Sequence, residues 1–299
     1  MIQTIKYFLI ALLFFSNAHA SDIINITFLG TGTPRPYINK LGPSVLIKYA
    51  NEELLLDVGR GSALRINQIG NDFSKISNIF ISHMHYDHII GIADLWLTSN
   101  LWQRKKDINI FGPNSIKSFC DNLMKSYSED IKYRYKENNY SKLNCLKFSE
   151  RNHKSNNIEI IEFTNNHGHI DNSYGFKINY KNKSIVYSGD TTYSENVIKN
   201  SMNADILIHE VIAASPKIYE SNHKLKKVFS THTSIEQLVK ILSLCKPKLT
   251  ILNHALLFGI SEERVLSEIR KNYSGDVIFS RDLMSVDLGE EINIFNIGK

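Results

Sequence analysis

The sequence predicts an α/β protein in which two β-sheets pack face to face with helices outside. Short apolar runs bounded by turn residues recur in two series along the chain, and segments with helical periodicity follow each series. Two sheets that each carry an apolar face can bury both faces against one another. The chain has 299 residues, of which 42% are hydrophobic and 22% charged, which allows a large core and excludes wholesale disorder.

The first twenty residues have the pattern of a signal peptide. Lys6 precedes an apolar stretch at 7–15 that is too short to span a bilayer, and Ala18-His19-Ala20 has small residues where a signal peptidase reads. The pattern predicts cleavage near Ala20, a periplasmic or secreted chain, and no membrane span in the remainder. The alternative is a buried strand or an uncleaved anchor at the same residues.

Export would place the three cysteines, Cys120, Cys145 and Cys245, in an oxidising compartment. An odd number leaves at least one thiol unpaired in a monomer. A bridge between Cys120 and Cys145 is one option that the sequence leaves open. We interpret all three cysteines as structural, because none lies near the histidine motifs in sequence.

The elements follow from local patterns, in chain order. We predict a first series of strands, a histidine-rich turn, a polar and partly helical insertion at 113–157, and a second series of strands. One domain, 21–299, holds both series. The predicted strands are 24–29, 44–49, 53–57, 79–82, 158–163, 175–180, 184–188, 206–209, 249–252, 277–280, 284–287 and 292–295. The predicted helices are 59–69, 89–101, 115–127, 234–244 and 261–272.

Four metal-ligating side chains lie within six residues, directly after the predicted strand 79–82: His83, His85, Asp87 and His88. Imidazole and carboxylate groups suit zinc, manganese and iron. In an extended segment the side chains of His83 and His85 lie on one side. Asp87 and His88 fall where the chain turns into a helix, so they can face a second metal about 3.5–4 Å away. The spacing predicts a two-metal centre.

Three further candidate ligands, His167, Asp190 and His254, each follow a predicted strand. Each one alone is a weak signal, since an aspartate in a Gly-Asp-Thr turn is often a helix cap or a turn residue. Together with the histidine cluster they make a stronger case for a shared centre.

Several segments resemble those of the metallo-β-lactamase-fold hydrolases, a superfamily with a His-x-His-x-Asp-His motif, and most of all its tRNase Z and arylsulfatase-like branch. The resemblance covers about residues 24–287 and implies a four-layered αββα sandwich with the site at one edge between the sheets. The matching segments, besides the histidine cluster, are Phe28-Leu29-Gly30-Thr31-Gly32-Thr33-Pro34, Leu55-Leu56-Asp57-Val58-Gly59, Ser188-Gly189-Asp190-Thr191, His209-Glu210-Val211, His232-Thr233-Ser234 and His254.

The resemblance also implies the ligand set. One metal is expected on His83, His85 and His167, the other on Asp87, His88 and His254, with Asp190 bridging them. His169 is an alternative to His167 as the third ligand of the first metal. The downstream spacing to residues 173–177 favours His167. The expected ions are two zinc ions, with manganese or iron as options.

The implied mechanism is attack by a hydroxide held between the metals. Asp87 is expected to orient that water and accept its proton. His232 is the candidate general acid for the leaving group, and Glu210 the residue that fixes its tautomer and raises its pKa. The alternative for His232 and Glu210 is a structural hydrogen bond between loops. The Gly30-Thr31-Gly32-Thr33 loop lacks the Lys-Ser/Thr of a P-loop, and we interpret it as a structural turn beside the site.

The substrate is expected to be a small anionic ester, a phosphodiester or a sulfate ester, with no nucleic-acid partner. The segment Asp57-Val58-Gly59-Arg60-Gly61-Ser62-Ala63 departs from the Asp-x-Gly-Glu-Gly-Thr-Gln of tRNase Z, and no Gly/Lys-rich arm is found. An exported enzyme would also not meet precursor tRNA. Two alternatives stay open: a tRNase Z-like 3′ endoribonuclease and a non-catalytic metal-binding module. A homodimer is expected, because dimers are common in this branch.

Overall fold

The computed structural model describes residues 23–135, 139–148, 153–155 and 158–297. The predicted signal peptide, 1–20, lies outside them. Among the described residues, no helix has the length and apolarity to cross a membrane. The strands are β1 Ile24–Gly30, β2 Ser44–Tyr49, β3 Glu52–Leu56, β4 Ile76–Phe80, β5 Ile108–Gly112, β6 Leu143–Lys147, β7 His153–Ser155, β8 Ile158–Thr164, β9 Tyr174–Tyr180, β10 Lys183–Tyr187, β11 Ile206–Ala214, β12 Leu249–Phe258, β13 Asp276–Phe279, β14 Met284–Leu288 and β15 Ile292–Asn296. The helices are α1 Ser62–Gln68, α2 Tyr86–Ile89, α3 Ile92–Leu101, α4 Ile116–Ser126, α5 Ser128–Arg134, α6 Glu195–Ser201, α7 Pro216–Ser221, α8 His223–Phe229, α9 Ile235–Cys245 and α10 Glu262–Arg270.

The strands form two mixed sheets. The first has the order β15-β14-β1-β2-β3-β4-β5-β6, and the second has the order β13-β12-β11-β10-β9-β8-β7. In the first sheet, β3 to β6 run parallel, and in the second β10 to β13 do. The loops of the candidate site follow β4 and β10 of these parallel strands, and β8.

Three apolar clusters separate four layers, which confirms the αββα sandwich. The central cluster lies between the sheets and takes Val45 and Ile47 from β2. Leu46, between them, faces the other way, toward helices that include α1 and α3. This alternation is the period-two pattern of a strand buried on both faces. A third cluster packs α6, α9 and α10 on the second sheet.

The predicted ends of two strands are wrong. β11 and β12 continue to Ala214 and Phe258, beyond the predicted ends at 209 and 252, and they remain paired after a register shift between His209 and Val211. The predicted helix 89–101 is divided into α2 and α3. At the division, a Cβ on Gly91 would lie 2.2 Å from the carbonyl oxygen of Gly59, so only glycine allows the two loops to approach.

The segment predicted as a polar insertion, 113–157, contributes strands as well as helices. β6 pairs with β5 at the edge of the first sheet, and β7 pairs with β8 at the edge of the second. The segment therefore extends both sheets. A disulfide joins Cys120 on α4 to Cys145 on β6, 25 residues apart, whereas Cys245 is a buried free thiol.

This disulfide leads to a prediction of stability. A crosslink between residues 25 apart restricts the unfolded chain, and we expect it to stabilise the fold by about 3 kcal/mol. Urea unfolding of the wild-type protein should therefore show a lower free energy of unfolding when a reductant is present. In a Cys120→Ala/Cys145→Ala variant, which keeps Cys245, the reductant should have no effect. A wild-type protein that is insensitive to reductant would contradict the prediction.

Candidate metal centre

The seven predicted ligands converge at one edge of the sandwich, between the two sheets. They fall into overlapping groups whose nitrogen and oxygen atoms lie within 4.8 Å of one another. Four of these side chains lie on loops after β4, β8 and β10, and they are joined by Asp87 and His88 of α2 and by His254 within β12. The groups are His83, His85, His167 and Asp190; Asp87, His88 and His254; and Asp190, His232 and His254.

The first group presents three imidazole nitrogens and a carboxylate. His85 Nδ1 lies 2.8 Å from His83 Nε2 and 3.3 Å from His167 Nε2. His83 Nε2 is 3.8 Å from Asp190 Oδ2. Two ligands at 2.0–2.1 Å from one tetrahedral zinc ion lie roughly 3.3 Å apart. The spacing of these donor atoms therefore fits a shared cation.

The second group lies on the other side of Asp190. Asp87 Oδ2 is 3.3 Å from His254 Nε2 and 3.7 Å from His88 Nε2. Asp190 Oδ2 is 3.5 Å from His88 Nε2, and Asp190 Oδ1 is 3.4 Å from His254 Nδ1. The Asp190 carboxylate thus contacts histidines of both groups.

The structure brings His167 into the centre and leaves His169 exposed on the same loop. His167 Nδ1 donates a hydrogen bond of 2.7 Å to the carbonyl oxygen of Thr231. This contact fixes the tautomer and directs the lone pair of Nε2 toward His85.

Asp57 is the most connected polar residue at the centre, and the sequence assigned it no role. Its carboxylate is fully buried and accepts hydrogen bonds from the Ser82 amide (2.7 Å), the Ser82 hydroxyl (2.8 Å), the Tyr187 hydroxyl (2.8 Å) and His88 Nδ1 (2.8 Å). The Ser82 oxygen in turn accepts from His83 Nδ1 at 3.0 Å. With Nδ1 of His83 and of His88 engaged in these hydrogen bonds, Nε2 of each ring is the nitrogen that faces the other candidate ligands and could bind a cation.

The sequence did contain one signal for Asp57, which directly follows β3, much as His167 and Asp190 lie on the loops after β8 and β10. Asp57 and His254 both have left-handed backbone, with φ of 57° and 50°. Non-glycine residues adopt this conformation rarely, and such strain persists where the surroundings hold it in place.

Burial and neighbouring charges shift several ionisation equilibria. Burial lowers the pKa of His83 well below its usual value, which favours the neutral imidazole that a metal requires. Burial raises the pKa of Asp190, but His254 and His88 outweigh it and hold that pKa well below the usual range. For His88, burial lowers the pKa, whereas Asp190 and Asp57 raise it well above the usual value. The carboxylates of Asp190 and Asp57 therefore favour a positive charge in the space between them.

Two buried nitrogens at the centre, His88 Nε2 and His254 Nδ1, have no hydrogen-bond partner among the described residues. Buried polar atoms without a partner are rare, and a bound ion is one of the usual reasons for them. The donor set also has the chemistry that zinc and similar cations prefer, namely imidazole nitrogen and carboxylate oxygen. The residues therefore fit divalent cations.

His232 and Glu210 lie beside the ligands. His232 Nδ1 is 3.3 Å from Glu210 Oε1, and the His232 ring is 5.0 Å from that of His167 between centroids. Burial lowers the pKa of His232, but the Glu210 carboxylate outweighs this effect and raises it to about 9. Glu210 Oε1 also accepts from the amides of Thr233 (2.8 Å) and Thr191 (3.3 Å). It thereby ties together the loops that carry His232 and Asp190.

Comparisons with known proteins agree with this geometry. Ribonuclease Z of Mycolicibacterium gilvum is 27% identical over 242 residues, which cover 78% of this chain and 84% of the relative. The metallo-β-lactamase fold protein YhfI from Bacillus subtilis superposes with a TM-score of 0.71 at 20% identity, covering 89% of this chain and all of that one. Human tRNase Z, short form, has a TM-score of 0.66 at 22% identity, with 87% and 98% of the two chains covered.

The fold and the site define a metal-dependent hydrolase of the metallo-β-lactamase superfamily, in the branch that includes tRNase Z. Residues 24–255, more than half of the chain, also match a protein-family model. The chain belongs to this family, whose description is "Anti-Pycsar protein Apyc1".

The position of Asp57 leads to a second prediction. In an Asp57→Asn variant the amide nitrogen cannot accept a hydrogen bond. The hydrogen bonds that orient His88 and, through Ser82, His83 should therefore weaken. Loss of such an outer partner costs about 10–100-fold in metal affinity. Zinc affinity, measured by competition with a chromogenic chelator, should fall by this factor. Asp72→Asn, at an exposed turn that precedes β4, is the matched control and should bind zinc as the wild-type protein does.

Proposed function

We propose that the protein hydrolyses a small anionic ester, a phosphodiester or a sulfate ester, with two divalent cations. The observation that supports this most is the position of Asp190, whose two carboxylate oxygens lie 3.4–3.8 Å from histidines of both ligand groups. A carboxylate in this position can bridge two ions. The proposed ligands of one ion are His83, His85 and His167, and those of the other are Asp87, His88 and His254. Zinc suits this set best, and manganese or iron are options.

Two such cations would supply a nucleophile at neutral pH and offset the negative charge that develops on the ester during attack. The protein supplies the proton acceptor. Asp87 is buried, and although burial raises its pKa, the contact with His254 and the charge of His88 lower it below the usual value. The carboxylate is therefore ionised at neutral pH and can orient water and accept its proton.

His232 is the proposed proton donor to the leaving group. Its pKa of about 9 means that the imidazole is protonated at neutral pH, because the Glu210 carboxylate stabilises the positive charge. Glu210 is a positioning residue in this scheme, since it contacts the two loops and the imidazole and not the substrate. His232 also forms a possible ligand group with Asp190 and His254, so its role needs a test of its own.

We further propose that the chain is exported and cleaved near Ala20. The disulfide between Cys120 and Cys145 supports an oxidising compartment. N-terminal sequencing of the protein recovered from the producing cell should give a start near Ser21, and an unprocessed chain beginning at Met1 in the cytoplasm would contradict the proposal. The expected homodimer can be checked on the same material by light scattering.

The second candidate is a 3′ endoribonuclease, which the name of the Ribonuclease Z relatives favours. A substrate panel separates the candidates: bis-p-nitrophenyl phosphate, an aryl sulfate, cyclic and linear dinucleotide phosphodiesters, and precursor tRNA. Cleavage of the small esters without cleavage of precursor tRNA supports our proposal. Specific 3′ processing of precursor tRNA would favour the alternative.

The third prediction concerns Asp87. An Asp87→Ala variant should lose about 10²–10⁴-fold or more in the hydrolysis of bis-p-nitrophenyl phosphate, because both a metal ligand and the proton acceptor are removed. Its circular dichroism spectrum should not change. The exposed Asp94 on α3 is a matched control, and Asp94→Ala should retain activity. Activity of wild-type protein also excludes a non-catalytic metal-binding module, whereas activity of Asp87→Ala would exclude this mechanism.

The fourth prediction concerns His232 and uses two diesters that differ in leaving group. With an alkyl leaving group, which must be protonated as it departs, His232→Ala should lower kcat by about 10²–10⁴-fold. With p-nitrophenol, which departs readily as an anion, the loss should be far smaller. The metal content of the variant should equal that of the wild-type protein. Loss of metal, or equal loss for both diesters, would show that His232 is not the general acid.

A further inference from the structure

The loops that precede β4, β5 and β6 lie at the end of the first sheet opposite the metal centre. These three strands are adjacent and parallel, and the histidine cluster follows the carboxyl end of β4. Because neighbouring strands lie about 4.8 Å apart, the residues at their amino ends gather at one edge. The proposed hydrolysis uses none of these residues.

Exposed lysines precede each of the three strands. Lys75 directly precedes β4, Lys105 and Lys106 lie just before β5, and Lys142 directly precedes β6. Among the described residues, the lysines that pair with a carboxylate are others, so these four ammonium groups are available to a ligand.

Three carboxylates lie beside these lysines, and protein groups already engage each of them. Asp72 Oδ1 accepts from the Ser74 amide at 2.8 Å, and Asp107 Oδ1 accepts from the Lys142 amide at 2.7 Å. Glu53 is buried and accepts from a side-chain amide at 2.7 Å. Exposed lysines therefore outnumber exposed carboxylates at this edge.

Two large apolar side chains at the end of α3 stand beside the lysines. Leu101 is 52% exposed and Trp102 is 61% exposed. The buried Arg104 fixes this loop, because its Nη2 donates to the carbonyl oxygens of Phe73, at 2.9 Å, and of Ile76. The rings of Trp102 and Phe73 also lie 5.8 Å apart between centroids. The apolar side chains thus project from a rigid loop.

A rigid apolar tip flanked by lysines is complementary to a bilayer with anionic headgroups. Tryptophan is enriched at membrane–water interfaces, and lysine is attracted to anionic headgroups while its methylene stem contacts apolar groups. A single-stranded RNA can also stack on tryptophan and bind lysines. Leu101, however, has no face for stacking and gains only from burial in an apolar phase. The membrane is therefore the partner that uses all of these side chains.

We propose that this edge, formed by Leu101, Trp102 and the exposed lysines before β4, β5 and β6, docks the protein on the surface of an anionic lipid bilayer. The docking is peripheral, and no helix among the described residues is suited to cross the bilayer. In this orientation the metal centre, at the other end of β4, faces away from the lipid and stays open to substrate from solution. The inference goes beyond the proposed hydrolysis and does not depend on it.

The test is binding of the full-length protein to vesicles, measured by flotation and by tryptophan emission. The chain has two tryptophans, and Trp96 is fully buried, so a change in emission reports on Trp102. Vesicles of equal parts phosphatidylglycerol and phosphatidylcholine should bind the protein and shift its emission to shorter wavelength. This binding should weaken as salt is added, and vesicles of phosphatidylcholine alone should bind far less.

Variants place the binding at this edge, and all of them keep the same N-terminus, whose apolar stretch at 7–15 could itself enter a bilayer. Lys105→Ala/Lys106→Ala should weaken binding to the anionic vesicles about 30-fold, or about fivefold for each lysine. Trp102→Ala should weaken it about tenfold, because one apolar side chain is no longer buried. The matched control, Lys199→Ala/Lys240→Ala, removes two exposed lysines from α6 and α9 on the opposite layer and should bind as the wild-type protein does.

Three results would overturn the docking surface. The first is equal binding to both kinds of vesicle, or binding that survives both edge variants. The second is a change of Trp102 emission with a single-stranded RNA oligonucleotide but not with vesicles, which would identify nucleic acid as the partner. The third is a Trp102→Ala variant that alters the molar mass in light scattering while the wild-type protein binds no vesicles, which would assign the edge to contacts between copies of the chain. Vesicle binding by a protein that hydrolyses no ester would still support the docking surface.

Discussion

The buried carboxylate of Asp57 joins the two sheets at the edge where the candidate metal centre lies. Asp57 directly follows β3 of the first sheet, and it accepts a hydrogen bond from Tyr187 at the end of β10 in the second. The same carboxylate orients His88 directly and His83 through Ser82. A buried carboxylate is stable only when donors surround it, so four hydrogen bonds hold Asp57 and the two imidazoles in one arrangement.

The remaining features of the centre follow from this anchoring. Because Nδ1 of His88, His83 and His167 is engaged by Asp57, Ser82 and the Thr231 carbonyl respectively, the three Nε2 atoms point inward. Imidazoles and carboxylates gather at this edge of both sheets, and two of the buried nitrogens, His88 Nε2 and His254 Nδ1, have no hydrogen-bond partner in the part of the chain that the structure describes. Burying polar groups without partners costs free energy, and bound cations would offset that cost. The left-handed backbone at Asp57 and His254 is a further cost that a functional site can carry.

The elements that support the candidate metal centre also line an apolar cavity, whose walls include Pro34, Ala255 and Phe258. β12 carries His254 and then continues as a wall of the cavity, and Tyr86 connects the histidine motif to the loop after β1. The extension of β12 beyond its predicted end is therefore what forms the cavity.

Local sequence patterns determined the alternating strands, the two face-to-face sheets with helices outside, and the nearness of His83, His85, Asp87 and His88, because side-chain period and chain adjacency are local properties. Short or weakly apolar elements, such as β5, β6 and the helices α6 to α8, were missed, since their stability comes from neighbours distant in sequence. The hydrogen bonds of Asp57, the position of His167 rather than His169 beside His85, the pairing of Cys120 with Cys145 and the cavity lined by Phe258 depend on tertiary structure. Each depends on contacts across strands paired in three dimensions, and those pairings leave no periodic trace in the chain.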